Sequence, residues 1–334
     1  MIRLFRFALY LVSFLLAPSA WSQDNGIKRL DPRLDALVPA NSRLETIAEG
    51  FAWLEGPICH RQGSYLLFTD IPDNAVHKWQ AGEGSSLFLE PCGYTGEKPF
   101  AGREPGANGL TLDSNGRLVL CQHGDRSIAR LEDDGQFIVL ASHYQGKRLN
   151  SPNDLVYKSD SSLHFTDPPF GLPENFNDPA KELDFQGLYR LAPDGTLTLL
   201  TRELKAPNGI AFSPGERRLY VADVDFDRPA WWVFEVRDDG TLAKGRIFYH
   251  VGPWMQDRPG GPDGLKVDRS GNLFAAGPGG VFLFAPDGTL LGIIETGVAT
   301  SNVAFGEQGQ TLFVTASTKV LRIPLATRGQ GFMP

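Results

Sequence analysis

Six times along the chain an acid or an amide opens a short alternating apolar strand, which turns on small or polar residues and resumes as a second strand. The openers are Glu55 (EGPICHRQGSYLLFTD), Asn108 (NGLTLDSNGRLVLCQ), Asn153 (NDLVYKSDSSLHFTD), Asn208 (NGIAFSPGERRLYVAD), Asp263 (DGLKVDRSGNLFAAG) and Asn302 (NVAFGEQGQTLFVTA). A repeat of roughly forty to fifty-five residues made of short strands marks a propeller, with one copy per blade and radial closure. The expected fold class is therefore all-β: a six-bladed β-propeller with a central metal site. Equivalent positions of the blades share one radius and height, so the openers should converge on the central channel. The competing reading is turn chemistry, since Asn, Asp and Gly tolerate left-handed backbone. It accounts for Asn-Gly and Asp-Gly but not for Glu55 before Gly-Pro at the same register.

With 334 residues and 42% hydrophobic content the chain can bury a large core, and the even repeat leaves no room for a second domain. Its 37 Gly and 24 Pro suit many turns between short strands. A formal charge of −7 argues against a nucleic-acid partner. Arg3 and Arg6, the apolar run Phe7 to Ala17, and the small residues of Ala20-Trp21-Ser22 read as a signal peptide over residues 1–22, cleaved after Ser22. The run is too short for a membrane span, an uncleaved anchor being the alternative. A periplasmic or secreted protein without stable membrane association is expected. An N-terminal extension (23–43) should lie outside the ring, with the propeller over 44–328 and a tail over 329–334. Leu44 to Ala48 reads as a strand able to complete the last blade and so remove exposed edges. An oxidising compartment would permit one disulfide among Cys59, Cys92 and Cys121, but Cys59 and Cys121 fall in strands and read first as small buried residues.

Strands ending in Asp-Gly (SIARLEDDG, GLYRLAPDG, WVFEVRDDG, VFLFAPDG) signal hairpins. Four segments break the rhythm: Pro91 to Ala107, Pro168 to Phe185, Asp225 to Ala230 and Gly252 to Gly261. Long loops on a regular scaffold commonly carry specificity. Tyr94, Phe100, Arg103, Phe170, Trp254 and Arg258 lie in them, either walling a pocket or packing the loops onto the blades.

Carboxylates and carboxamide oxygens converging without Cys or His make a hard, oxygen-only site, which favours Ca²⁺, Mg²⁺ or Mn²⁺ over zinc or copper. One divalent cation is expected, calcium first, with Mg²⁺, Mn²⁺ or Zn²⁺ as alternatives. Such an ion polarises a carbonyl and acidifies water, which suits hydrolysis of an ester or related acyl bond. Asn108, Asn302, Arg103 and His123 are candidate substrate contacts, His123 as a donor or relay at the pocket rim or else as a structural hydrogen-bonding group. No GxSxG elbow supports a serine hydrolase.

The motifs EGP (Glu55 to Pro57), SPND (Ser151 to Asp154), PNG (Pro207 to Gly209) and PDG (Pro262 to Gly264), in that order, resemble the senescence-marker-protein-30/gluconolactonase family of six-bladed propellers over about residues 44–325. The elements NGLTLD, HGDRSIAR, LNSPNDL and FTDPPFG are similar to its bacterial gluconolactonase branch. The resemblance implies a divalent metal held by Glu55, Asn153, Asn208 and Asp263, with Asp263 as catalytic base or water-orienting group. It also implies a small-molecule lactone substrate such as an aldonolactone. An aryl-ester or phosphotriester hydrolase, or a non-catalytic ligand-binding propeller, are the alternatives. Where animal members carry a substrate-touching Arg, this chain has Ser151.

Overall fold

The computed structural model describes residues 26–60 and 62–332. The expected signal segment and its cleavage point lie outside these residues. Each repeat forms an antiparallel sheet that starts at the axis and runs outward. Blade I comprises Leu54–His60, Tyr65–Asp70, Ala75–Gln80 and Gly84–Leu89; blade II, Ala107–Leu112, Leu118–Gln122, Ser127–Leu131 and Phe137–Ala141. Blade III comprises Leu155–Tyr157, Leu163–Asp167, Gly187–Leu191 and Leu197–Thr201; blade IV, Pro207–Phe212, Arg218–Asp223, Ala230–Glu235 and Arg246–His250. Blade V comprises Leu265–Val267, Leu273–Gly277, Gly280–Phe284 and Leu290–Glu295; blade VI, Thr300–Gly306, Thr311–Ala316 and Lys319–Pro324.

Blade VI takes its outer strand from the other end of the chain: Glu45–Glu49 pairs with Lys319–Pro324, Glu45 facing Arg322. This closure joins the start of the ring to its end. The segment ahead of it does more than lie on the outside. Ile27–Arg29 hydrogen-bonds to Leu290–Glu295 as a fifth strand of blade V, and Leu34, Leu37 and Val38 insert into the apolar layer between blades V and VI.

The apolar faces of neighbouring blades meet in six clusters of buried residues, one per interface. Between blades IV and V, for example, fully buried Trp231 sits 5.3 Å from both Phe282 and Phe284. Alternation along each strand supplies both faces, because a blade between two neighbours is covered on both sides. The Asp-Gly turns behave as expected between third and fourth strands, where Gly135, Gly195, Gly240 and Gly288 have φ of +81°, +86°, +80° and +91°.

Strand direction fixes where the loops fall. An inner strand starts at its opener, so the second strand returns to the opener's end of the ring. Connections from second to third strands, and from one blade to the next, therefore lie at that end. All four irregular segments are connections of these kinds, so all four surround the openers.

Candidate active site

Each opener stands at the entry to its innermost strand, and four of them stand next to a break in pairing. The ladder shifts register between Glu55 and Ile58, between Ala107 and Leu110, between Pro207 and Ile210, and between Thr300 and Asn302. Such bulges re-aim a side chain. Five openers are buried: Glu55 is 3% exposed, and Asn108, Asn153, Asn208 and Asn302 are buried with it, while Asp263 keeps partial solvent contact.

The glycine after the opener is there for close approach. A Cβ on Gly264 would fall 1.9 Å from Asn302 Cγ, and one on Gly56 2.1 Å from the Asn108 carbonyl oxygen. Gly109, Gly209 and Gly264 do not have positive φ. Left-handed turn chemistry therefore does not explain Asn-Gly and Asp-Gly at these positions. At Gly56, Gly109 and Gly209 the backbone of the next blade comes too close for a Cβ, whereas Asn153 and Asn302 are followed by Asp154 and Val303.

Within this ring Glu55 Oε2 accepts from Gly56 N (3.2 Å) and from Asn302 Nδ2 (3.3 Å), and Asp263 Oδ1 accepts from Gly264 N (3.0 Å). Burial, and then the charge of Asp154, pushes the Glu55 carboxyl up to about 8. Loss of water, followed by the charges of Glu55 and Asp154, holds Asp263 well above the usual carboxylate range. Two buried acids raised by lost water and by neighbouring carboxylates form a site short of positive charge. The Oδ1 of Asn153 is buried with no hydrogen-bond partner.

Sequence reasoning passed over two acids here. Asp154, inside the SPND motif, is buried; its Oδ1 accepts from Leu155 N (2.8 Å) and its carboxyl is raised by burial, with Lys266 opposing the shift. Its adjacency to Asn153 was the available signal. Glu104, beside Arg103, lies 3.0 Å from Nδ1 of His123 and adds its charge to those acting on Glu55 and Asp263.

His123 follows the second strand of blade II and is fully buried, with Gly171 packed close to it. Its Nε2 has no hydrogen-bond partner. Ser151 spends its hydroxyl on Gly171 N (2.7 Å), so it tethers the Pro168 to Phe185 loop. Arg103 is exposed on its loop. The loop aromatics mostly pack the loops: Tyr94 and Phe100 meet at 5.1 Å, and Trp254 lies against Phe282 at 5.6 Å and under Arg258. Cys92 and Cys121 are buried thiols, pushed up by burial.

Among the described residues no group of three or more His, Cys, Asp and Glu is placed to hold a metal. Any ion on the axis would rest on two carboxylates plus amide oxygens. A cavity of about 580 Å³ opens at the far end of the channel, lined by Ile58, Thr111, Tyr157, Phe212, Lys266 and Phe305. It is separate from the ring of openers.

The SMP-30/Gluconolactonase/LRE-like region matches residues 53–318. A gluconolactonase of Zymomonas mobilis is 40% identical over 309 residues, covering 91% of this chain and 87% of its own. A pentonolactonase of Haloferax volcanii is 28% identical, covering 79% and 81%. A solved structure from Xanthomonas campestris, described as a gluconolactonase important in glucose secondary metabolic pathways, superposes with a TM-score of 0.78 at 35% identity, covering 90% of this chain and 94% of its own.

Proposed function

Because the chain belongs to the SMP-30/gluconolactonase family, we propose that it hydrolyses a sugar lactone, gluconolactone or a similar aldonolactone, at a divalent cation held by Glu55, Asn153, Asn208 and Asp263. The relatives' activities support the substrate class. The donor set supports the cation: two carboxylates both raised by lost water and neighbouring acids, and a buried amide oxygen on Asn153 left without a partner. All are hard oxygens, which suits calcium first, then magnesium or manganese. Once bound, the cation would polarise the lactone carbonyl and acidify a water.

The chain's own groups do the rest. Asp263 is the one opener with partial solvent contact, and it carries the assignment of catalytic base. It accepts a proton as water adds to the acyl carbon, then returns one to the ring oxygen as the acyl C–O bond breaks. The product is the open hydroxy acid. Glu55, closed from solvent and held by Asn302 and Gly56, is a fixed ligand rather than the group that exchanges protons with substrate. Asn108 and Asn302 line the same ring, and Glu104, on the Pro91 to Ala107 loop, pairs with buried His123 at its rim. Export to the periplasm or medium, directed by residues 1–22, belongs to the same proposal.

The test separates base from ligand. Asp263→Asn keeps an oxygen at the ion but removes the base, and general-base loss costs roughly 10²–10⁴-fold in rate. Its kcat should fall by that much at saturating cation, whereas excess cation should restore part of the rate of Asn208→Ala. Near wild-type kcat in fully metallated Asp263→Asn would refute the role given to Asp263.

A further inference from the structure

Three of the six blades carry an aspartate at the end of the second strand, and each makes the same two contacts. Asp70 accepts from the backbone N–H of Ala52 and Trp53, both at 2.9 Å. Asp167 accepts from Asn150 and Ser151, both at 2.8 Å. Asp223 accepts from Lys205 (3.3 Å) and Ala206 (2.7 Å). In every case the donors are the third and second residues before an opener: Glu55, Asn153 and Asn208. All three aspartates are at most 2% exposed.

The preceding threonines extend the pattern sideways. Thr69 Oγ1 donates to the carbonyl of Asn108 (3.1 Å), and Thr166 Oγ1 to that of Asn208 (2.8 Å), each reaching the next blade. The other second strands end in Cys121-Gln122, Ala276-Gly277 and Thr315-Ala316, with no carboxylate. Blade V, which supplies Asp263, therefore has Gly277 at the place of the aspartate, and the residues before its opener are Gly260 and Gly261. Latched openers and buried neutral or fixed ligands coincide; the unlatched acid is the half-buried one.

We propose that Asp70, Asp167 and Asp223 are positioning residues that preset Glu55, Asn153 and Asn208 as a rigid cation cradle, while Asp263 is left movable by the Gly260-Gly261 approach and the glycine at 277. This rests on the cation reading given above. A carboxyl group that accepts from two backbone donors fixes the approach strand in position and orientation, so the oxygens need not reorganise when the ion arrives. Asp263 has the opposite requirement, since a group that touches the ion and passes a proton must shift between the two tasks.

Calcium chloride titrated calorimetrically into the metal-stripped mature protein tests the cradle. In Asp70→Asn, Asp167→Asn and Asp223→Asn the amide can satisfy only one of the two N–H groups, and affinity should drop about 10–100-fold. Asp268→Asn is the control: it removes a buried carboxylate that accepts from Ser270 N and Asn272 N at the other end of blade V, and affinity should not change. Amide hydrogen exchange on the wild-type protein supplies a reading that no variant can spoil by misfolding. The amides of Ala52, Trp53, Asn150, Ser151, Lys205 and Ala206 should exchange slowly without metal, and those of Gly260 and Gly261 quickly, slowing when calcium is added. Wild-type affinity in the three folded variants, or equal protection at all four openers, would overturn the proposal. If the wild-type protein bound no divalent cation, the cation reading would fail, and the exchange pattern alone would then decide whether the latched openers are rigid.

Discussion

The close approach of blades V and VI at Gly264 gives a sharp quantitative expectation. A methyl added there would lie 1.9, 2.1 and 2.3 Å from Cγ, Oδ1 and Nδ2 of Asn302. Asn302 has no room to yield. It is 2% exposed, its Nδ2 donates to Glu55 and its Oδ1 accepts from Val303 N at 2.8 Å. Overpacking a filled interior costs about 1–3 kcal/mol, and leaving a buried amide without its partner about 1–3 kcal/mol more. Gly264→Ala should thus lose roughly 3–5 kcal/mol. For a chain of this length unfolding entropy near the midpoint is about 0.7 kcal/mol per kelvin, so the expected drop in Tm is on the order of 4–7 °C. Gly215→Ala is the matched control, with no atom within 4 Å of the added Cβ and no positive φ. Thermal melts of the two variants, with lactone turnover measured on each, make the comparison. If Gly264→Ala melted alongside Gly215→Ala and kept full activity, the blades could not be in contact at the axis as described.

Stability of the metal-free protein should fall as pH rises. Glu55, raised to about 8 by burial, and Asp263, also raised, hold protons in the folded state that the unfolded chain releases near pH 4. The stabilisation is complete below the unfolded value and is lost as pH climbs toward 8, by on the order of a few kcal/mol. Denaturant titrations at pH 5 and pH 8 should show this loss without cation and a much smaller one with it, and a flat response without cation would contradict the assignment. Intact-mass measurement of protein from the native host should find Gln23 as the mature N-terminus, and a mass retaining Met1 to Ser22 would show that the segment is not removed.

The ring of openers was legible because radial repetition turns equal sequence position into equal place, so six short strings were enough to bring Glu55, Asn153, Asn208 and Asp263 together. Asp154 and Glu104 were harder to see, since neither holds the repeated position: one is the neighbour of an opener, the other reaches the site from an irregular loop. The aspartate latches were visible in the endings FTD, FTD and VAD, but their partners precede the openers by two and three residues, and only the folded register reveals that pairing. Sequence left open whether the loop aromatics wall a pocket or pack the loops. That depends on local side-chain packing, which periodicity does not encode, and Tyr94, Phe100 and Trp254 pack. The fifth strand at Ile27–Arg29 escaped for a similar reason: three residues are too few to show alternation.

Lactone hydrolysis that depends on a cation at Glu55, Asn153, Asn208 and Asp263 can be checked by stripping the mature protein of metal and resupplying single ions before assaying a panel of aldonolactones, aryl esters and phosphotriesters. The stripped protein should show no turnover with its β-sheet circular dichroism largely retained, and calcium, magnesium or manganese should restore aldonolactone hydrolysis. Full activity in demonstrably metal-free protein would contradict that dependence.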